Sequence, residues 1–229
     1  LIKNDDDENS IGQKAVNYFL QNIKNTLKKL NIHHDVWVFE SDIVKSGLIE
    51  KAIEMLKEKN AIIYDIRTDK KNEKGNISDK PLMLLETTKF QDDQNRPLTK
   101  SDGSWTYFAP DVGYHLNKIQ RNFEKLICVL GADHDSYAKR IKIAVQLLSD
   151  KKIEHITPIC QIVSFENEGN IVKFSKRKGN SITIEEFIEK INPDILKFLI
   201  LEKNANAPFV FDYEKATTFS FQNPLFYCQ

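Results

Sequence analysis

The chain has 229 residues, 41% of them hydrophobic, and its 33 basic side chains balance its 33 acidic ones. This composition supports a packed core and excludes a chain that stays unfolded. The balanced charge argues against a nucleic-acid binder held only by phosphate attraction, so any RNA contact is expected to be local or to lie on parts of the protein outside this sequence. The sequence has no run of about 18 apolar residues, so we expect no membrane span and no membrane partner.

The cysteines and the chain ends set two further expectations. Cys128, Cys160 and Cys228 are far apart and form no CxxC motif. A zinc site or a disulfide framework is therefore not expected, and a reducing cytoplasm is the predicted location. The sequence lacks an initiator Met and stops within an aromatic segment, so we expect it to be a piece of a longer protein.

The first hundred residues predict helices separated by short strands and polar loops. Apolar residues from Ile11 to Leu30 recur at helical spacing, with Ser10 as the expected N-cap. The run 36–39 predicts a strand, and a helix is expected after Gly47. Further predicted elements are a strand over 61–64, a polar insertion at about 65–100, and a turn over 101–104 that closes a hairpin or leads into a strand from Trp105.

The second half alternates strands and helices. The apolar run 126–130 predicts a strand buried on both faces, followed by a helix over 136–148 and a strand over 156–163. Thr183 with Glu186 fits a capping box, and Asn192-Pro193 fits a helix start. We therefore predict an α/β fold, a partial doubly wound parallel sheet that binds a nucleotide over residues 1–206.

The segment 171–180 concentrates cations beside a flexible turn. Lys173, Lys176, Arg177 and Lys178 lie around the Ser175 hydroxyl, and Gly179-Asn180 follows. Such a loop can hold a triphosphate and stabilise the negative charge that builds on the α-phosphate and departing pyrophosphate. Taken alone, a solvated lysine-rich surface turn is an equally good interpretation.

The order Lys173-Phe174-Ser175-Lys176-Arg177 is similar to the Lys-Met-Ser-Lys-Ser signature of class I aminoacyl-tRNA synthetases. Phe174 keeps an apolar anchor where the signature has Met. Arg177 replaces the final Ser, a variant that resembles arginyl enzymes. The resemblance implies that Lys173 and Lys176 are catalytic and bind ATP, and that Ser175 shapes the loop.

Residues 101–140 resemble the catalytic core of arginyl-tRNA synthetases. The shared features are an Asp-Gly turn, Tyr-x-x-x-Asp, a Tyr-His pair, and Gly-Ala-Asp-His with a later Tyr. They stand here as Asp102-Gly103, Tyr107 with Asp111, Tyr114-His115, Gly131-Ala132-Asp133-His134, and Tyr137. Residues 88–93 resemble the family's Thr-x-Phe-Gly-Asp-Asp, with Gln91 in place of Gly. Residues 223–229 resemble Asn-Pro-x-x-Tyr-x-Gln, so a helical anticodon-binding domain is predicted to start within 207–229.

The resemblance implies that Tyr107 and Asp111 bind L-arginine. A guanidinium presents five donors in a planar fork and needs a carboxylate facing it. Asp111 supplies a carboxylate, and Tyr107 supplies a hydroxyl and an apolar wall. Without the resemblance, a core tyrosine and a helix N-cap aspartate are the favoured interpretations.

The turn Gly131–His134 follows a predicted strand at its carboxyl end, where ligands bind in open α/β sheets. Gly131 permits close backbone approach, and Asp133 can accept from ribose hydroxyls. His134 can donate to ATP or line the arginine site. The family continues with His and Gly where this chain has Asp135 and Ser136, so no role is carried over there. His33-His34 is expected at the surface, and His115 is expected to be packed.

The sequence contains no His-x-Gly-His, the other class I signature, so the isolated chain is expected to be inactive. The resemblance implies ATP-dependent ligation of L-arginine to tRNA(Arg) through an arginyl-adenylate, with Mg²⁺ and in a Rossmann-like, monomeric enzyme. It also implies that tRNA binds before the adenylate forms. Two alternatives stay open: another class I synthetase, such as a cysteinyl or glutamyl enzyme, and a non-catalytic fragment that binds RNA or a protein partner.

Overall fold

The structure is a computed structural model that describes residues 7–66, 80–150, 152–167, 170–172 and 183–218. The chain divides into two compact units. The central unit comprises residues 37–160, and the terminal unit comprises residues 1–36 and 161–229. The domain boundary predicted at residues 206–207 stays a prediction. In the part of the chain that the structure describes, no helix combines the length and apolar character needed to cross a membrane.

Helices and short strands alternate along the described chain. The helices are α1 (Glu8–Lys29), α2 (Glu40–Lys45), α3 (Leu48–Glu58), α4 (Phe108–Gln120), α5 (Asp135–Leu148), α6 (Ile184–Lys190), α7 (Pro193–Leu201) and α8 (Tyr213–Thr217). The strands are β1 (Ile62–Asp65), β2 (Leu82–Leu85), β3 (Arg96–Pro97), β4 (Lys125–Ile127), β5 (Leu130–Gly131), β6 (Glu154–Ile156), β7 (Ile159–Cys160), β8 (Val163–Asn167), β9 (Asn170–Val172) and β10 (Phe209–Asp212). Two 3-10 turns lie at Thr88–Phe90 and Ala132–His134.

The core of the central unit forms where α4 packs between α3 and α5. Gly113 allows the close approach of α4 to α3, because a Cβ there would lie 3.1 Å from the backbone nitrogen of Ile49. The buried aliphatic residues share one continuous cluster. From the helices they include Leu56, Ala109, Val112, Leu116, Ala144 and Leu148.

Parallel strands place the turn that follows β5. β4 pairs in parallel with β6, so Leu126 lies opposite His155, and β5 pairs in parallel with β7, so Gly131 lies opposite Cys160. Helix α5 connects these strands, as in a β-α-β unit. The predicted α/β class with parallel strands is confirmed, while a wider doubly wound sheet stays a prediction.

An antiparallel sheet β1-β2-β3 completes the central unit. Leu85 in β2 and Leu98 just after β3 are fully buried in the same core. The described part of the predicted insertion, residues 80–100, therefore contributes strands β2 and β3 as well as core residues.

The terminal unit packs α6 against a mixed sheet in which β8 pairs in parallel with β10 and antiparallel with β9. The rings of Phe165, Phe187 and Phe211 contact one another, with centroids 4.9–5.8 Å apart. The predicted helix starts are confirmed. Thr183 and Glu186 form a reciprocal capping box, and Asn192 caps α7 with proline at its first position.

Several local predictions are wrong. The N-cap of α1 is Asp7, whose carboxylate accepts from the Ser10 backbone N–H at 2.7 Å. Residues 36–39 form no strand, and Phe39 is the N-cap of α2. The strand predicted from Trp105 does not form; Trp105 instead makes an isolated antiparallel bridge to Thr99 across the 101–104 turn, in agreement with the hairpin alternative, and α4 begins three residues later. The strand predicted over 156–163 is instead split among β6, β7 and β8.

Candidate functional site

Tyr107 and Asp111 lie one turn apart at the start of α4. Tyr107 is the N-cap residue and is 86% exposed, whereas Asp111 is half-buried within the first turn. Residues four apart on a helix share a face, so the two side chains can contact one ligand. The alternative interpretations of a core tyrosine and an N-cap aspartate are wrong.

A tyrosine from α5 holds the Asp111 carboxylate. The hydroxyl of Tyr137 donates a hydrogen bond to Asp111 Oδ2. Burial, and then this bond, raises the pKa of Tyr137, so the hydroxyl stays protonated and acts as the donor. The Tyr137 ring packs edge-on against Phe108, with centroids 6.0 Å apart. The sequence marked Tyr137 only as part of a motif and gave no sign of this contact.

The Gly131–His134 turn lies between β5 and α5. A Cβ at Gly131 would come within 2.9 Å of Asp133 Oδ1, so a larger residue would force that carboxylate to turn away. The side chains of Asp133 and His134 are 82% and 56% exposed, with His134 Nε2 3.6 Å from Asp133 Oδ2. Both are therefore open to a ligand. The His134 and Tyr137 rings lie 6.1 Å apart, which brings this turn beside the Asp111 carboxylate.

The loop before β3 is held by its own ion pairs and contacts α5 through Lys139. Arg96 binds the Asp92 carboxylate with two hydrogen bonds of 2.6 and 2.8 Å, and it also pairs with Asp93. The guanidinium holds the pKa of Asp92 well below its usual range. Lys139 on α5 donates to the backbone oxygen of Gln91. The 88–93 stretch therefore supports the helix that carries Tyr137.

His115 is packed beneath the same turn of α4, as predicted. Its Nδ1 donates to the backbone oxygen of Asp111 at 2.8 Å, which requires the Nδ1–H tautomer of a neutral ring. Its Nε2 is buried and has no hydrogen-bond partner among the described residues. Burial, and then the nearby Lys118 charge, lowers the pKa of His115 to about 4.

The predicted phosphate loop lies outside the described residues. This applies to Lys173, Ser175 and Lys176, and the stretch 223–229 that resembles the start of an anticodon-binding domain also lies outside them. The neighbouring elements are described: β9 ends at Val172, and the Thr183 capping box starts α6. The catalytic roles assigned to the loop stay predictions.

No family model matches the chain. An arginine–tRNA ligase from Pelagibacter ubique is 42% identical over 217 residues, which is 94% of this chain and 37% of that protein. One from Ehrlichia ruminantium (strain Gardel) is 40% identical over 213 residues, covering 93% of this chain and 37% of the relative. The chain is related to the arginine–tRNA ligases. It spans just over a third of the length of these curated relatives.

A solved structure agrees with the relationship to arginine–tRNA ligases. A Campylobacter jejuni protein assigned as an arginyl-tRNA synthetase superposes with a TM-score of 0.79 at 27% identity. The match covers 95% of this chain and 44% of that protein. The resemblance identified from the motifs is therefore confirmed, and it favours an arginyl enzyme over another class I synthetase.

Proposed function

We propose that the protein ligates L-arginine to tRNA(Arg) with ATP, through an arginyl-adenylate. The observation that carries the proposal is the exposed Tyr107 beside Asp111, whose carboxylate is already fixed by Tyr137. A fixed carboxylate next to an exposed aromatic hydroxyl suits a guanidinium better than it suits an apolar or acidic amino acid.

The arginine side of the proposed site uses groups from two helices. Tyr137 occupies one lone pair of Asp111 Oδ2, and Oδ1 stays able to accept from the guanidinium fork. Tyr107 adds an apolar wall and a hydroxyl, and His134 lines the side that faces ATP. Placing the guanidinium against this carboxylate gives selectivity, because a ligand without such a donor leaves Asp111 Oδ1 unpaired.

Two stretches of the chain are proposed to contact ATP: the turn after β5, and the lysine loop identified by its sequence motif. Gly131 lets the nucleotide approach the backbone, and the exposed Asp133 carboxylate accepts from ribose hydroxyls. Lys173 and Lys176 stabilise the charge on the α-phosphate and pyrophosphate in the transition state, with Ser175 shaping their loop. The roles proposed for these three loop residues rest on the sequence motif.

The remaining parts of the proposal follow from the motif resemblance and the composition. We propose that Mg²⁺ accompanies ATP, as the motif resemblance implies; the described residues contain no group of three or more His, Cys, Asp or Glu side chains that could hold a metal ion. We propose a monomer in the cytoplasm and an isolated 229-residue chain that is inactive. Activity and binding are therefore tested with the product of the full reading frame that encodes this chain.

The arginine pocket is tested by comparing L-arginine with citrulline, its neutral isostere, in equilibrium binding. Arginine should bind at least about 100-fold more tightly, because citrulline replaces a donor with an oxygen that faces Asp111. Asp111→Asn should weaken arginine binding roughly 100-fold. It should also reduce the difference between the affinities for arginine and citrulline.

The matched control for this substitution is Asp150→Asn, which removes an exposed carboxylate paired with Lys59. It should leave both affinities unchanged. Equal binding of arginine and citrulline by the wild-type protein, or an Asp111→Asn variant with normal arginine affinity, would contradict the pocket assignment.

A further inference from the structure

Tyr137 lies where the Asp111 carboxylate and the turn after β5 meet. Its hydroxyl contacts Asp111 on α4, and its ring faces His134 in that turn. Tyr137 lies in the first turn of α5, the helix that begins directly after His134. The Tyr137 side chain therefore contacts both Asp111, which is proposed to bind arginine, and the turn that is proposed to bind the nucleotide.

The ring of Tyr137 is fixed by packing from more than one direction. Phe108 meets it edge-on at 6.0 Å, and the Arg140 guanidinium lies 5.9 Å from its centroid. Lys139, the next residue but one, ties the same helix to the backbone of Gln91. The hydroxyl consequently has little freedom to leave the Asp111 carboxylate.

Tyr137 is also the donor that orients this carboxylate. Among the described residues, no other hydrogen-bond donor reaches the side-chain oxygens of Asp111. The bond is charge-assisted, because a phenol donates to an ionised carboxylate, and such bonds are stronger than those between neutral groups. The bond therefore selects one orientation of a carboxylate that would otherwise rotate.

We propose that Tyr137 is a positioning residue for amino-acid recognition: it holds Asp111 in the orientation that receives the guanidinium. This inference rests on the proposed function. It assigns Tyr137 no contact with the reacting atoms, so its loss acts on arginine binding rather than on the chemical step. ATP recognition through Asp133 and the lysine loop is left intact.

The test is Tyr137→Phe, which removes only the hydroxyl, measured in arginine-dependent ATP–pyrophosphate exchange with tRNA present. The KM for arginine should rise roughly tenfold, the lower end for a hydrogen bond to a charged group. The KM for ATP and kcat should stay within about twofold of wild type, because the substitution weakens arginine binding equally in the ground state and the transition state. Tyr64→Phe, which removes an exposed hydroxyl in β1 of the same unit, should change none of these values.

A double-mutant cycle separates positioning from a purely structural role. In an Asp111→Asn background, Tyr137→Phe should cause little further rise in the KM for arginine, because the carboxylate it orients is gone. An equal further rise, or a joint rise in both KM values with a lowered melting temperature, would overturn the inference. Unchanged kinetics in Tyr137→Phe would overturn it too, while leaving the proposed function intact. Wild-type exchange that does not depend on arginine would instead refute the proposed function, and the inference with it.

Discussion

Gln91 shows how a single residue can depart from a family motif at a local cost. The related motif has Gly at this position, and the structure places Gln91 in the left-handed region, with φ of 65°. A side chain there suffers a steric penalty that glycine avoids. The sequence revealed the substitution, and only the backbone conformation explains why glycine suits the position.

Gln91→Gly should therefore stabilise the protein by about 0.5–1 kcal/mol, since relief of left-handed strain exceeds the added entropy of the unfolded chain. The contact from Lys139 is to the Gln91 backbone oxygen and should persist. Urea denaturation measures the change in the free energy of unfolding. Gln91→Ala is the control and should give no stabilisation; a gain equal to that of glycine would show that backbone strain is not the cause.

At the scale of an element, helix α4 links the proposed arginine-binding surface to a buried polar core. Its first turn presents Tyr107 and Asp111, and its second turn carries His115, which is 3% exposed. The ring of His115 lies 5.7 Å from that of His155 on β6. Burial lowers the pKa of both histidines, so the folded protein keeps this pair neutral.

Protonation of this pair should set the acid stability of the protein. The pKa of His115 is near 6.5 when unfolded and about 4 when folded, so only the unfolded state gains a proton between these values. The stability contributed by the neutral ring is present above pH 6.5 and falls as pH drops toward 4. The slope is at most about 1.4 kcal/mol per pH unit for each histidine.

His115→Asn keeps a hydrogen-bonding group and should reduce this slope, with His155 supplying the remainder. Denaturant unfolding at several pH values between 4 and 7 measures the slope of the free energy of unfolding against pH. His33→Asn alters an exposed histidine and should leave the wild-type slope. An unchanged slope in His115→Asn would exclude His115 as the group responsible.

The elements predicted best are those specified by adjacent residues. Thr183 with Glu186 and Asn192 with Pro193 fix helix starts through bonds within three residues, so their sequence pattern suffices. The prediction of a strand over 36–39 was wrong because a short apolar run does not distinguish a strand from an irregular segment. The Tyr137–Asp111 bond joins residues 26 positions apart, and it depends on how α4 and α5 pack.

At the scale of the whole molecule, the motifs that predict the function are spread over most of the chain. The predicted arginine ligands and the turn after β5 belong to the central unit, whereas the lysine loop falls within residues 161–229. Short motifs suffice to indicate the family and the candidate ligands, because each depends on residues close together in sequence. They could not reveal which side chain fixes Asp111, because that contact comes from tertiary packing.

ATP–pyrophosphate exchange by the product of the full reading frame, across the amino acids and with or without tRNA, tests the central claim most directly. We predict exchange with arginine and with no other amino acid, and only when tRNA is present. In the Lys176→Ala variant, the rate of this exchange should fall by roughly 10²–10³. Exchange with a different amino acid would contradict Tyr107 and Asp111 as arginine ligands. No exchange under any condition would contradict the enzymatic function itself and favour a non-catalytic binding protein.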